Sequence, residues 1–234
     1  MYKKIVLNIP HSSLNNISDA KWSDWVTMVK QILKWTDLYT DSLFAPDEQM
    51  FDLDRQFEIH KFNHNRFYID AERLVDDEME KIGQGIIYTC FEGHNRIVTE
   101  EEKEKLMMIY YRYIDSFRET LTISENDTLL IDCHSFPNEK SPDTDFCIGY
   151  NEDWSKPCSK VIKGIGNILE NNGFRVGINE PYSNSLTPIP TNNYHSLMIE
   201  VNKKLYMSEI TKEMSPESYK INKLINEIYA FCFR

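Results

Sequence analysis

The chain has no apolar run of membrane-spanning length, no CxxC pair, no internal repeat, no low-complexity block and no excess of positive charge. Without about 20 consecutive apolar residues there is no candidate transmembrane helix. The N-terminal "KKIVLNIP" reads as a short strand and lacks the apolar stretch and small-residue cleavage site of a secretory signal, so a cytoplasmic protein is expected. Five cysteines, Cys90, Cys133, Cys147, Cys158 and Cys232, are odd in number and scattered, which argues for reduced thiols and against both a disulfide framework and a cysteine-rich zinc site. Lys and Arg total 26 against 37 Asp and Glu, for a net charge of −11, a balance that argues against a nucleic-acid partner.

What is present is an ordinary globular composition, with 41% hydrophobic and 27% charged residues over 234 positions. That length buries a sizeable core unaided, and with no linker in view the expectation is one domain over 1–234. Apolar strands alternate with amphipathic helices. "KKIVLNI", "QMFDLD", "RFYID", "TLLIDCH", "TDFCIGY", "FRVGI" and "SLMIEV" read as strands. Trp22, Trp25, Val29 and Leu33 have helical spacing. A helix opens at Thr99 with Glu102 completing a capping box, and its apolar face runs Leu106, Tyr110, Tyr113, Phe117 and Leu121. A third helix carries Val161, Ile162, Ile165, Ile168 and Leu169 and stops at Gly173. Ser215 and Pro216 read as the cap and first residue of the last helix. The pattern predicts an α/β fold, a mixed and mostly parallel central sheet with helices on both faces. Ligands of such sheets bind beyond the carboxyl ends of the strands.

His11 in "IPHSS" and His134 in "LLIDCHSFP" each fall near the end of a predicted strand. Singly, either is as well read as a hydrogen-bonded loop histidine; together they suggest one crevice. Catalytic zinc sites use three ligands from His, Asp and Glu and leave a position for water, so two histidines call for a carboxylate. Asp37 and Asp41 in "TDLYTD" are candidates, although Thr36 or Asp37 could equally cap a helix. Asp132 shares the strand face of His134 and could ligate or orient the imidazole. Glu200 in "SLMIEVN" lies opposite the face of Leu197, Ile199 and Val201, where a carboxylate needs a cation, a pair or a cleft; beside a metal it could act as general base. Arg66, Tyr68 and Asp70 alternate onto one side of "NRFYIDAER", with Arg73 following, and arginine forks suit a substrate carboxylate or a structural pair with Asp70. Cys133 points away from His134 and reads as core. His60, His64 and His94 read as surface residues, since the HxxxH spacing of the first two falls in strand and turn.

In order, "IPHSS", "TDLYTDSLF", "NRFYIDAER", "LLIDCHSFP", "TDFCIGY", "NEPYSNSLTP" and "HSLMIEVNKKLYM" resemble the N-formylglutamate amidohydrolase family from His11 to Met207. The resemblance implies the zinc-exopeptidase-like (phosphorylase/hydrolase-like) α/β fold and metal-assisted amide hydrolysis. It implies Zn2+ or another divalent ion on His11, Asp37 and His134, with Glu200 as base and Arg66 assisting. Arg66, Arg73, Tyr182 and Ser185 would border a small anionic N-acyl amino acid such as N-formylglutamate. The chain departs from the family at "SNSLTP", where many members carry two glycines, and at Asp115, where relatives often carry a histidine, both expected to border the substrate. Another N-acyl amino acid, a small peptide with a free carboxylate, or a non-catalytic metal-binding role are the alternatives.

Overall fold

The computed structural model describes residues 2–124, 127–191 and 193–234. Along the chain come β1 (Lys4–Ile9), α1 (Trp25–Trp35), α2 (Thr40–Leu43), α3 (Leu53–Gln56), β2 (Phe57–Lys61), β3 (Cys90–Phe91) and β4 (His94–Asn95). They are followed by α4 (Glu100–Thr122), β5 (Thr128–Phe136), β6 (Phe146–Gly149), α5 (Ser159–Asn171), β7 (Val176–Ile178), β8 (Tyr194–Asn202) and α6 (Ser218–Cys232). The six-stranded sheet has the order β2-β1-β5-β8-β6-β7. Its neighbours are parallel except β6 against β8. β3 and β4 form a small separate ribbon.

Period-two alternation decides which residues meet which helices. Leu129, Ile131, Cys133, Leu197, Ile199 and Val201 pack on one face against Val161, Ile165 and Leu169 of α5 and Ile221, Ile225 and Ile228 of α6. Val6 and Leu130 face the other way, under Leu106, Tyr110, Ile114, Phe117 and Leu121 of α4. Each such burial contributes about 1.5–3 kcal/mol. On this second face the residue type changes with depth. Leu130 gives way to Asp132 and His134 along β5, and Val6 to Asn8 along β1, so the polar residues sit toward the carboxyl ends of the strands. Cys133 is core, as its alternation predicts.

The main helices and the long strands follow the sequence pattern. Thr99 caps α4 by accepting the Glu102 N–H, and Gly173 turns the chain after α5 with φ +86°. The corrections are local. "QMFDLD" is a turn leading into α3, because the Asp47 carbonyl accepts from the N–H groups of Met50 and Phe51 and the Gln56 side chain caps the Asp52 N–H. "RFYID" is a turn as well: the Asn65 side chain accepts from Phe67 N–H and its carbonyl from Tyr68 and Ile69. The last helix begins at Ser218; Ser215 and Pro216 belong to the turn before it. α1 begins at Trp25 with Asp24 as its cap, and buries Met28 and Ile32 while Trp25 is exposed; Trp22 precedes the helix and bridges to Arg96. His60 is not on the surface: it is buried against Phe117, with Nε2 3.1 Å from Thr120 Oγ1.

Candidate metal and amide-hydrolysis site

His11 leaves β1 just after Pro10 and is buried, not an exposed loop residue. Its carbonyl accepts the Asp37 N–H at 2.9 Å, tying the β1 turn to the segment after α1. α2 begins at Thr40 with Tyr39 at its cap position, so neither Thr36 nor Asp37 caps it. Thr40 Oγ1 donates to the Asp37 carbonyl at 2.8 Å, and Ser135 Oγ to Asp37 Oδ1 at 3.1 Å. The ammonium of Lys203, buried just past β8, donates to the carbonyls of Lys34 and Thr36 at 2.6 and 2.9 Å and stands 3.9 Å from Asp37 Oδ1. Burial pushes Lys203 down to about 8.

The two imidazoles, with ring centroids 5.2 Å apart, turn like nitrogens toward Asp37. Nδ1 of His11 is 3.7 Å and Nδ1 of His134 is 3.1 Å from Asp37 Oδ2. Each Nε2 meets a second carboxylate, Asp70 Oδ1 at 2.8 Å for His11 and Asp132 Oδ1 at 3.2 Å for His134. For His11 this is the arrangement in which an outer carboxylate sets the tautomer of a metal-binding imidazole. His134 Nε2 also faces Glu72 Oε1, at 2.9 Å. Asp70 and Asp132 are themselves held. Asp70 accepts from the Glu72 N–H and the Tyr88 hydroxyl, and Asp132 from the Asn8 amide and the Leu186 N–H. Tyr113 of α4 donates to Asn8 at 2.6 Å and closes the chain of contacts.

Electrostatics follow from burying this many acids together. Burial alone would raise Asp37, yet the two imidazoles beside it and the Lys203 charge hold it well below the carboxylate range. Burial lowers His134, but Glu72, Asp132 and Asp37 outweigh it and raise it well above the ordinary value. Glu200 goes the other way. It lies beside His134 in register on β8, and burial, together with Asp37 and Glu72, pushes it up to about 8 against the opposing pull of His134. Its Oε2 is buried without a hydrogen-bond partner.

His11, Asp37 and His134 are therefore a set that could hold a metal ion, with ligand atoms all within 4.8 Å of one another. The test lies in the unused atoms: buried His11 Nδ1 makes no hydrogen bond. Its separation from Asp37 suits donors placed about 2.0–2.1 Å from a shared tetrahedral ion. The residues fit a divalent cation. Of the other carboxylates weighed from the sequence, Asp132 lies 3.2 Å from His134 Nε2 and forms a further candidate set with Glu72 and His134, and Asp41 pairs with Lys61.

A cleft of about 670 Å³ opens beside this cluster, lined by Arg66, Arg73, Lys140, Tyr182, Ser185 and Glu200 among others. Arg66 reaches Asp70 at 3.3 Å and Tyr88 at 3.2 Å through a turn, not along a strand face, and Tyr68 packs instead on Arg96. Arg73 stands 3.9 Å from both Asp70 and Asp77. "SNSLTP" forms one wall, with the Ser185 hydroxyl turned to Ser196. Asp115 does not border the cleft; it is exposed on α4 beside Arg118. The sequence reading missed Glu72 and Lys203. Neither carries a local signal: Glu72 lies in a turn, where strand alternation does not apply, and "NKK" reads as solvated surface.

Two crystal structures share this fold. An N-formylglutamate amidohydrolase from Ralstonia eutropha JMP134 superposes with a TM-score of 0.76 at 19% identity, over 97% of this chain and 92% of that one. A gene product of Agrobacterium tumefaciens gives 0.64 at 14% identity, over 98% and 90%. No curated protein matches significantly. The model of the N-formylglutamate amidohydrolase family matches residues 3–207, and the chain belongs to that family of amide-bond hydrolases.

Proposed function

We propose that the chain, as one catalytic domain over 1–234, is a zinc-dependent hydrolase that removes the formyl group from N-formylglutamate or a close N-acyl amino acid. The observation that carries this reading is the meeting of His11, Asp37 and His134 beside Glu200, whose buried Oε2 has no hydrogen-bond partner among the described residues. A zinc ion held by those three residues supplies a Lewis acid for the amide carbonyl and lowers the pKa of a water toward about 7. Glu200 takes the proton from the attacking water and passes it to the leaving amine. Its preference for the protonated state in the metal-free protein reflects desolvation, and a nearby dication shifts it back toward the carboxylate that accepts a proton. His11 holds its tautomer through Asp70, and His134 through its Nδ1 contact with Asp37. Arg66 and Arg73 are the groups to meet a substrate carboxylate, with Tyr182 and Ser185 on the facing wall. The partner is thus a small anionic molecule. The five free thiols suit a reducing, cytoplasmic setting.

One observation favours a different N-acyl amino acid or a short peptide. Both arginines already lie beside Asp70, and Glu72 and Asp77 add negative charge to the same wall. Metal analysis of the purified protein, followed by assays on N-formylglutamate, N-acetylglutamate and a dipeptide, tests both readings. The expected result is about one divalent ion per chain and hydrolysis that chelation abolishes and zinc restores. Metal binding with no turnover of any of the three substrates would leave only a non-catalytic relative.

A further inference from the structure

N-formylglutamate carries two carboxylates, one on the α-carbon and one at the end of its side chain. Among the described residues, the Lys and Arg side chains of the cleft wall are Arg66, Arg73 and Lys140. The two arginines are already shared with acids of the protein. Arg66 Nη2 lies 3.3 Å and Arg73 Nε 3.9 Å from the same Asp70 Oδ2, and Arg73 Nη1 stands 3.9 Å from Asp77. Lys140 differs. It pairs with no carboxylate among the described residues, and the adjacent Glu139 is taken by Lys34. Its ammonium stands instead over the Tyr182 ring, 5.4 Å from the centroid.

Both partners of that contact are anchored. Lys140 ends the short 3-10 turn Asn138–Lys140 just past β5, where its N–H donates to the Pro137 carbonyl at 3.0 Å and the Asn138 N–H to Glu209 Oε1 at 2.9 Å. The Tyr182 carbonyl accepts the Cys147 thiol at 3.2 Å, and Cys147 is the register partner of Glu200 across β6 and β8. The ammonium thus belongs to the Tyr182 wall, beside Glu200, and the two arginines to the Asp70 wall.

We propose that Lys140 is a specificity-determining residue that binds the side-chain carboxylate of an N-acyl dicarboxylic amino acid, leaving the α-carboxylate to the arginines. The inference rests on the function proposed above and deepens it by naming the substrate class, an acidic side chain preferred over its neutral amide. The two carboxylates lie at opposite ends of a glutamyl chain, and the cations lie on opposite walls of the cleft. Lysine's flexible four-carbon stem lets the ammonium move from the ring face onto an incoming carboxylate. That carboxylate gains a cation that no acid of the protein already neutralises, which neither arginine offers.

The test measures kcat and KM of wild type, Lys140→Met, Lys140→Arg and Lys140→Glu on N-formylglutamate and its neutral isostere N-formylglutamine, after checking that each protein melts cooperatively. The expected wild type prefers N-formylglutamate in kcat/KM. Lys140→Met should lower that preference about tenfold, through KM rather than kcat, because one charge-assisted contact is lost. Lys140→Arg should keep most of the preference, and Lys140→Glu should lower it further than Lys140→Met. A wild type with no preference for the acid, a preference that Lys140→Met leaves intact, or a loss carried by kcat alone overturns the assignment while the hydrolase reading stands. Hydrolysis of neither compound by the wild type refutes the reading of the site as a deformylase of glutamate-like substrates, and the role of Lys140 falls with it.

Discussion

His134 and Glu200 stand directly opposite each other on the adjacent parallel strands β5 and β8. The pairing puts an imidazole and a carboxylate on one face of the sheet, near the carboxyl ends of both strands. A register shift of one residue would replace Glu200 in this position by Ile199 or Val201 and bury the acid in the apolar layer.

Glu200→Gln keeps the shape and removes the proton acceptor. Turnover should fall about 10²–10⁴-fold while zinc content stays at the wild-type level, read from steady-state kinetics and elemental analysis on the same preparation. Wild-type turnover in that variant would remove Glu200 from the mechanism.

Asp70→Asn takes the charge from a carboxylate that faces His11 Nε2 and lies 3.3 Å from Arg66. The burial of Asp70 opposes its ionisation, but His11, Arg66 and Arg73 hold it well below the carboxylate range. The variant should lose about 10–100-fold in zinc affinity and about 3–5 kcal/mol of stability, from chelator competition and urea denaturation. A full-affinity variant would mean that His11 keeps its tautomer without Asp70.

Lys203→Met leaves the carbonyls of Lys34 and Thr36 without their donor and removes the positive charge nearest Asp37 Oδ1. The Asp37 segment should loosen, and zinc affinity should drop about tenfold even in protein that melts cooperatively. Equal affinities would limit Lys203 to a packing role.

Asp145, paired with Arg175 and Lys204, supplies a pH test. Burial pushes its carboxyl up, but hydrogen bonds from Arg175 and the Lys204 ammonium outweigh it and bring it down to about 2. A depressed acid contributes stability that is complete above its unfolded pKa of about 4 and is lost as pH falls through about 2. Because Arg175 is half-exposed, the contribution is about 1 kcal/mol after screening. The stability difference between wild type and Asp145→Asn, from urea melts, should be constant from pH 7 to 5 and shrink toward pH 2. A constant difference across that range would contradict the assignment.

Much of the architecture was legible because burial imposes short periods. Leu197, Ile199 and Val201 could only share one face, which left Glu200 on the other, and Leu106, Tyr110, Phe117 and Leu121 could only be one stripe of a helix. The errors fell where side chains bond to nearby backbone. Asn65 and Asp47 organise turns that hydrophobic alternation misreads as strands.

The amino-acid order by itself determined the alternation of strands and helices, the face each strand residue takes, and the presence of His11, Asp37, His134 and Glu200 near the ends of elements. These are consequences of local periodicity and chain geometry. Only the tertiary structure decided that Asp37 rather than Asp41 meets the imidazoles, that Asp70 and Asp132 stand behind them, and that Glu72 and Lys203 join the cluster. Those contacts join segments tens to more than a hundred residues apart, so they depend on strand order, on where each turn releases the chain, and on the cost of burying a charge without a partner.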